Sequence, residues 1–195
     1  MRNPYLPAAS RQAGLTLLEL IIVLVIATQV AWMASANWRS ITERTTAFRV
    51  QTDISTAFRQ ARSEAITKGT ITTLCPLDEN NRCTAAWDSE VTLFLDPANQ
   101  KALTPQGRKI KEFKLSPAGS ITASNSGPAQ RRYFQYNPDG SVKGTIGNLL
   151  WCPPSGEEKR AMQARINFGG RLTWAQDSND DGVREDANGA PLVCN

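Results

Sequence analysis

The sequence predicts an α+β fold: a long N-terminal helix, transmembrane and then amphipathic, packed on an antiparallel β-sheet domain. Three observations predict it. An apolar run with a single charge covers Leu15 to Ala36. Behind it, apolar residues recur at three- and four-residue spacing as far as Ala65. From Thr70 onward, short β-branched and aromatic stretches alternate with turn-rich ones.

The first element is set by its flanks. Residues 1–14, MRNPYLPAASRQAG, are polar and mildly basic and end in Gly14. About 20 helical residues cross a bilayer core, so 15–36 reads as a membrane span. A secretory signal is cut after its apolar run; here the cut is expected before it, at Gly14, so the run stays in the mature chain. Basic residues precede the span and none lies within it, which predicts a cytoplasmic N-terminus. Its one charge is Glu19. A carboxylate at membrane depth costs roughly 2.5–3.5 kcal/mol, so it is normally there to meet a partner.

The stretch G-L-T-L-L-E, residues 14–19, resembles the class III leader junction of type IV prepilins. The resemblance implies cleavage between Gly14 and Leu15 by prepilin peptidase and N-methylation at Leu15. It also implies that the Glu19 carboxylate pairs with the N-terminal amine of a neighbouring subunit, each charge making the other tolerable. Two departures stand out. Leu15 replaces the more common Phe, and no Pro lies between Pro7 and Pro76. The helix is therefore expected to run unbroken from Leu15 to about Lys68, roughly 80 Å at 1.5 Å per residue.

In the second half of the helix, Ala47, Val50, Ile54, Ala57, Phe58, Ala61 and Ala65 form one apolar stripe. Arg39, Arg44, Arg49, Arg59 and Arg62 fall largely elsewhere and read as a solvated face, or one meeting neighbouring subunits. Gly69 is expected to cap the C-terminus, with Lys68 at the negative end of the helix dipole. The stretch "ARSEAI", followed by a β-branched strand and Cys75, is similar to the FimT/FimU/GspH group of minor pilins and pseudopilins. That similarity implies a non-enzymatic protein acting by association: a minor pilin incorporated into, or priming, the tip of a type IV pilus. Its partners would be the major pilin, other minor pilins and the inner membrane, and its destination the extracellular filament. The alternatives are a type II secretion pseudopilin and a DNA-binding competence pilin.

The rest carries strand candidates "TITTLC", "EVTLFL", "RKIKEFKL", "RRYFQYN", "GNLLWC", "ARINF" and "RLTWA", separated by turns such as "LDENN", "DPANQ" and "NPDG". "SNSGPA" reads as a loop. Trp87, Trp151, Trp174 and the tyrosines read as core or sheet-face residues. With the resemblance, the chain divides into a leader 1–14, a transmembrane and filament-core helix 15–36 crossing the inner membrane once, and a periplasmic pilin-like domain 37–195, helical to about 68 and β-rich beyond.

Composition narrows the chemistry. The chain of 195 residues has 22 basic residues against 18 acids, and losing Arg2 and Arg11 with the leader leaves 20 against 18. Bulk charge therefore does not mark a polyanion binder. The absence of His removes His-based metal sites and triads. No nucleophile elbow or Gly-rich phosphate loop occurs, so no catalytic residue is assigned. The four Cys contain no CxxC pair. An even count behind an apolar N-terminal segment suggests export and two disulfides, with three connectivities open. The preferred one is Cys75–Cys83, closing a small loop, and Cys152–Cys194, tying back the C-terminus; four free thiols in a cytosolic protein is the alternative.

Two further sites are legible. "DSNDDGVREDAN" places Asp177, Asn179 and Asp181 on alternate positions, with Gly182 for the turn and the Val183 carbonyl following, the spacing of a calcium loop. Asn188 stands where a bidentate Glu is expected; Glu185 and Asp186 are substitutes. A metal-free Asp/Asn/Gly hairpin is the alternative, and no other cofactor is called for. The second site is nucleic acid. FimT-type pilins carry a Gly-Arg-x-Arg element; here Gly170 and Arg171 match, and Thr173 replaces the second Arg. Arg108, Lys109, Lys111, Arg131 and Arg132 are further candidate contacts, with strand alternation placing Lys109 and Lys111 on one face. The incomplete motif and near-neutral mature charge weigh against DNA.

Overall fold

The structure, a computed structural model, describes residues 16–115, 118–144 and 146–194, without the side chains of 34–40. The chain separates into two compact units, Met1–Thr42 and Glu43–Asn195. Helix α1 is assigned over Leu17–Lys68 and ends where Gly69 takes φ +60°. Two bonds close that end, Gly69 N–H to the Ile66 carbonyl and Thr70 N–H to the Ala65 carbonyl, the pattern that satisfies orphan carbonyls.

In the second unit, the apolar stripe of α1 enters the core: Val50, Ile54, Ala57, Phe58, Ala61 and Ala65 are at most 1% exposed. Two four-stranded antiparallel sheets share that core. The first has order β3-β2-β1-β7, from β1 (Thr72–Pro76), β2 (Glu90–Leu95), β3 (Arg108–Lys114) and β7 (Phe134–Tyr136). The second has order β10-β9-β8-β4, from β4 (Ser120–Ala123), β8 (Gly147–Cys152), β9 (Met162–Ile166) and β10 (Leu172–Trp174). A small hairpin, β5 (Asn125–Ser126) with β6 (Ala129–Gln130), occupies the stretch read as a loop. The Arg131–Asn137 stretch is a strand only from Phe134 to Tyr136, and β4 was not anticipated. Four residues inside a turn-rich segment carry too little alternation to register.

Strand alternation sorts side chains into three clusters. Leu74, Val91, Leu93, Leu149, Trp151, Met162, Ala164 and Ile166 join the helix stripe in the central core, with Trp87, Phe134 and Tyr136. The outer face of the first sheet buries Cys75, Cys83 and Phe94. The outer face of the second buries Cys152, Ala161, Ala175 and Leu192. Both outer clusters contain a disulfide, Cys75–Cys83 and Cys152–Cys194, and no described cysteine is free. Each sheet is therefore held by the helix core inside and by a cross-linked patch outside.

Several buried polar groups are held by hydrogen bonds. The Asp96 carboxylate, 3% exposed, accepts from Thr73 Oγ1, Gln135 Nε2 and the Gln100 and Lys101 N–H groups. Trp87 Nε1 donates to the Arg131 carbonyl at 2.7 Å. Arg62, expected on the solvated face, instead donates from Nε to the Gly140 carbonyl at 2.9 Å, tying the helix to the turn after β7.

That junction gives a strong expectation for Gly170, which has φ +75°. A Cβ there would sit 2.1 Å from the Gly140 carbonyl oxygen and 3.0 Å from Tyr136 Cε1. Gly170→Ala is expected to cost about 3 kcal/mol or more, adding a backbone clash to the positive-φ penalty. Gly69→Ala, with φ +60° but nothing within 4 Å, should cost only about 1 kcal/mol. Urea denaturation of both variants checks the contrast.

Candidate assembly interface

The N-terminal unit presents an apolar helix surface. Leu17, Leu18, Leu20, Ile21, Ile22, Val23, Leu24, Val25 and Ile26 are all exposed. Glu19 is the one charged residue from Leu17 to Met33. Among the described residues no helix is long and apolar enough to cross a membrane. Gly14 and Leu15, the expected cleavage pair, lie outside the described residues.

Glu19 also lies in the first turn of the helix. Its N–H donates to Thr16 Oγ1 at 3.3 Å, which makes Thr16 the N-cap. Thr16-x-x-Glu19 has the spacing of a capping box, and an acid in the first turn suits the positive end of the helix dipole.

On the second unit, the helix surface that escapes the core is not uniformly solvated. Glu43 is buried against the β-domain, with Oε2 3.3 Å from Arg160 Nη1 and 3.2 Å from Ser155 Oγ. A groove of about 460 Å³ runs beside it, lined by Arg44, Phe48, Lys159, Arg160 and Met162. Phe48 is 71% exposed there, a large apolar side chain in a basic rim.

The basic candidates do not form one surface. Arg108, Lys109 and Lys111 are exposed on β3, an edge strand of the first sheet. A bulge opposite Leu93/Phe94 interrupts the alternation that would put Lys109 and Lys111 on one face. Lys109 pairs with Glu112, whereas the Lys111 ammonium lies 5.0 Å from the Phe113 ring centre. Arg171 is exposed beside β10, an edge of the other sheet, its N–H donating to Asn167 Oδ1. Arg131 must be withdrawn as a nucleic-acid contact. It is 7% exposed, donates from Nη2 to the Ile146 carbonyl and lies over the Phe134 ring. Desolvation lowers its pKa from the ordinary value. Arg132 instead shares a groove with Arg82, Lys101 and Tyr133, two of whose cations the sequence reading missed because the loops carrying them are distant in the chain.

The Asp177–Asp186 segment is a tight loop closed by Glu185 N–H to the Gln176 carbonyl. Gly182 has φ +90° and donates its N–H to Asp177 Oδ2, while Asn179 Oδ1 accepts from Asp181 N–H. The Val183 N–H, then the Asn179 side chain, hold the Asp181 carboxyl below its ordinary value. Asp186 is spent on its own turn, accepting from Asn188 and Ala190 N–H.

With this geometry in place, comparison with known proteins is decisive. The family model described as "Type II transport protein GspH" matches residues 51–170. The chain belongs to the GspH family. The prokaryotic N-terminal methylation motif matches residues 9–34. No curated protein matches the chain. Among solved structures, the type IV minor pilin FimU of Pseudomonas aeruginosa is similar, with 16% identity, TM-score 0.53, and 80% of this chain and 99% of that one covered. The minor pseudopilin EpsH from the type II secretion system of Vibrio cholerae is also similar, at 16% identity and TM-score 0.38 over 69% of this chain and 94% of that one. A GspH-family chain is a structural subunit, not an enzyme, with the pilin-like α+β fold. The methylation motif implies processing by prepilin peptidase, inner-membrane anchoring of the precursor and association with other pilins.

Proposed function

We propose that this GspH-family chain is a minor pilin of a type IV pilus, acting at the filament tip. In this reading the precursor is cut between Gly14 and Leu15, methylated at Leu15, and drawn into the filament through residues 15–36. The observation that carries it is the apolar helix surface from Leu17 to Met33 with Glu19 as its single charge. Helix packing supplies most of the association energy, since each fully buried Leu or Ile contributes about 1.5–3 kcal/mol. Glu19 supplies register, because a misplaced subunit leaves a carboxylate and an amine desolvated and unpaired. The β-domain, with Phe48 exposed in its groove, would face the next subunit.

A second reading, a type II secretion pseudopilin, is favoured by the family match itself. Two disulfides incline the choice towards a subunit exposed outside the cell. A clean deletion separates the readings when surface pili, secreted enzymes and uptake of added DNA are scored in the same cells. Loss of pili with secretion intact is expected. Secretion lost while pili persist would establish the pseudopilin reading, and a defect in DNA uptake alone would establish the competence reading.

A further inference from the structure

We infer that the loop after β10 is a calcium site built by Asp177, Asn179, Asp181, the Val183 carbonyl and Glu185, with Glu185 as the buried closing ligand. The argument starts from convergence. One carboxylate oxygen each from Asp177, Asp181 and Glu185 lies within 4.8 Å of the other two. Two oxygens bound on opposite sides of a calcium ion at 2.3–2.6 Å are about 5 Å apart, so this spacing suits a shared ion. Three anionic groups held that close repel one another without one.

Burial makes the independent case. Glu185 is 6% exposed, among the most enclosed charged residues described. Its Oε2 is satisfied by Ser178 N–H at 2.8 Å and Ser178 Oγ at 2.7 Å. Its Oε1 is buried and has no hydrogen-bond partner, and the same holds for Asp177 Oδ1. Desolvating a carboxylate oxygen without giving it a donor is unfavourable, and native structures tolerate few such groups. Two of them, in two members of one cluster, are the acceptors a hard cation would satisfy.

The chain spacing is consistent with this assignment. Asp177, Asn179, Asp181, Val183 and Glu185 fall on alternate residues, the first, third, fifth, seventh and ninth positions of a calcium loop. The twelfth, Asn188, lies beyond a turn that Asp186 organises, so the ninth position takes over its role. The Lys159 side chain approaches Gly182 and opposes cation binding. With three carboxylates and a nearby ammonium, the site fits the weak class of extracellular modules, with Kd on the order of 10⁻⁴–10⁻³ M. The loop lies within the 42-residue segment that Cys152–Cys194 closes, so the ion would brace what the disulfide tethers.

The test is calorimetric titration of the oxidised full-length chain in detergent with calcium chloride alone. One ion per chain is expected, with affinity at least about tenfold weaker in Glu185→Gln and in Asp177→Asn. Calcium at ten times its Kd should raise Tm by about 3 °C. In chelator, Glu185→Gln should melt no lower than the parent, because it removes one of three converging charges. Asp181→Asn, at an exposed position, gives the same affinity test without disturbing buried structure. The site is refuted by no binding up to about 10 mM, well above the weak end of that range. It is equally refuted by unchanged affinity in all three variants, or by magnesium binding as tightly as calcium.

Discussion

Glu19→Ala is expected to leave membrane insertion and leader cleavage intact and to cut filament incorporation at least a hundredfold. The magnitude follows from what the carboxylate would face in an assembled filament. Its partner in the proposed pairing is the N-terminal amine of another subunit. Removing one member of a buried pair leaves the other charge uncompensated, which costs about 3–5 kcal/mol. Part of the effect would come from another source. Glu19 is the acid in the first turn of the helix, where its favourable interaction with the helix dipole is worth about 0.3–1 kcal/mol. Glu19→Gln removes the charge and keeps a side chain of the same length, and the Thr16 cap, which uses the backbone N–H of residue 19, survives in both variants. Immunoblots of sheared filaments against membrane fractions give the incorporation ratio, and intact mass gives the processing state. Normal incorporation of the Gln variant would show that the Glu19 charge does not meet a neighbour's amine.

Breaking Cys152–Cys194 should destabilise the domain by about 4 kcal/mol, against about 2.5 kcal/mol for Cys75–Cys83. The difference comes from the chain each bridge closes, 42 residues against 8. Loop-closure entropy grows with the logarithm of that length, so the longer bridge restricts the unfolded chain more. Packing acts in the same direction. Cys152 packs in one buried cluster with Ala161, Ala175 and Leu192 on the outer face of the second sheet, and among the described residues no strand follows β10. Its attachments are the Glu185–Pro191 bridge and the Leu192 N–H to the Arg184 carbonyl. Urea denaturation of the two paired Cys→Ser variants measures both values. A larger loss at Cys75–Cys83 would mean that the C-terminal tail is held by packing alone.

How much was legible depended on the range of the interactions involved. The helix stripe at Val50, Ile54, Phe58, Ala61 and Ala65 could be read directly, because a 3.6-residue period is written in one continuous stretch. Strands β2 and β8, with apolar or β-branched content, and β3, bounded by turn residues, were equally plain. Strand β4 and the β5–β6 hairpin were not, since segments of two to four residues are specified by their neighbours in the sheet more than by themselves. The basic candidates failed for a related reason. Arg131 reads as a surface cation until its guanidinium is seen against Phe134 and the Ile146 carbonyl. The bulge in β3 that separates Lys109 from Lys111 depends on the register with β2, which no local pattern encodes.

By itself the sequence determined the helix and its two characters, the isolated charge at Glu19, the class of subunit, and the oxygen-rich loop at Asp177. All of these are local, so spacing along the chain carries them. Only the tertiary structure decided which faces of the two sheets share the helix core and which carry the disulfides. It alone decided that Gly170 must lack a side chain, because the Gly140 carbonyl comes from a different turn. It also decided that Glu185, and not Asp186 or Asn188, joins Asp177 and Asp181 in one cluster and keeps a buried oxygen without a partner. Burial is the physical reason: whether a polar group is solvated or desolvated depends on what the rest of the chain brings against it.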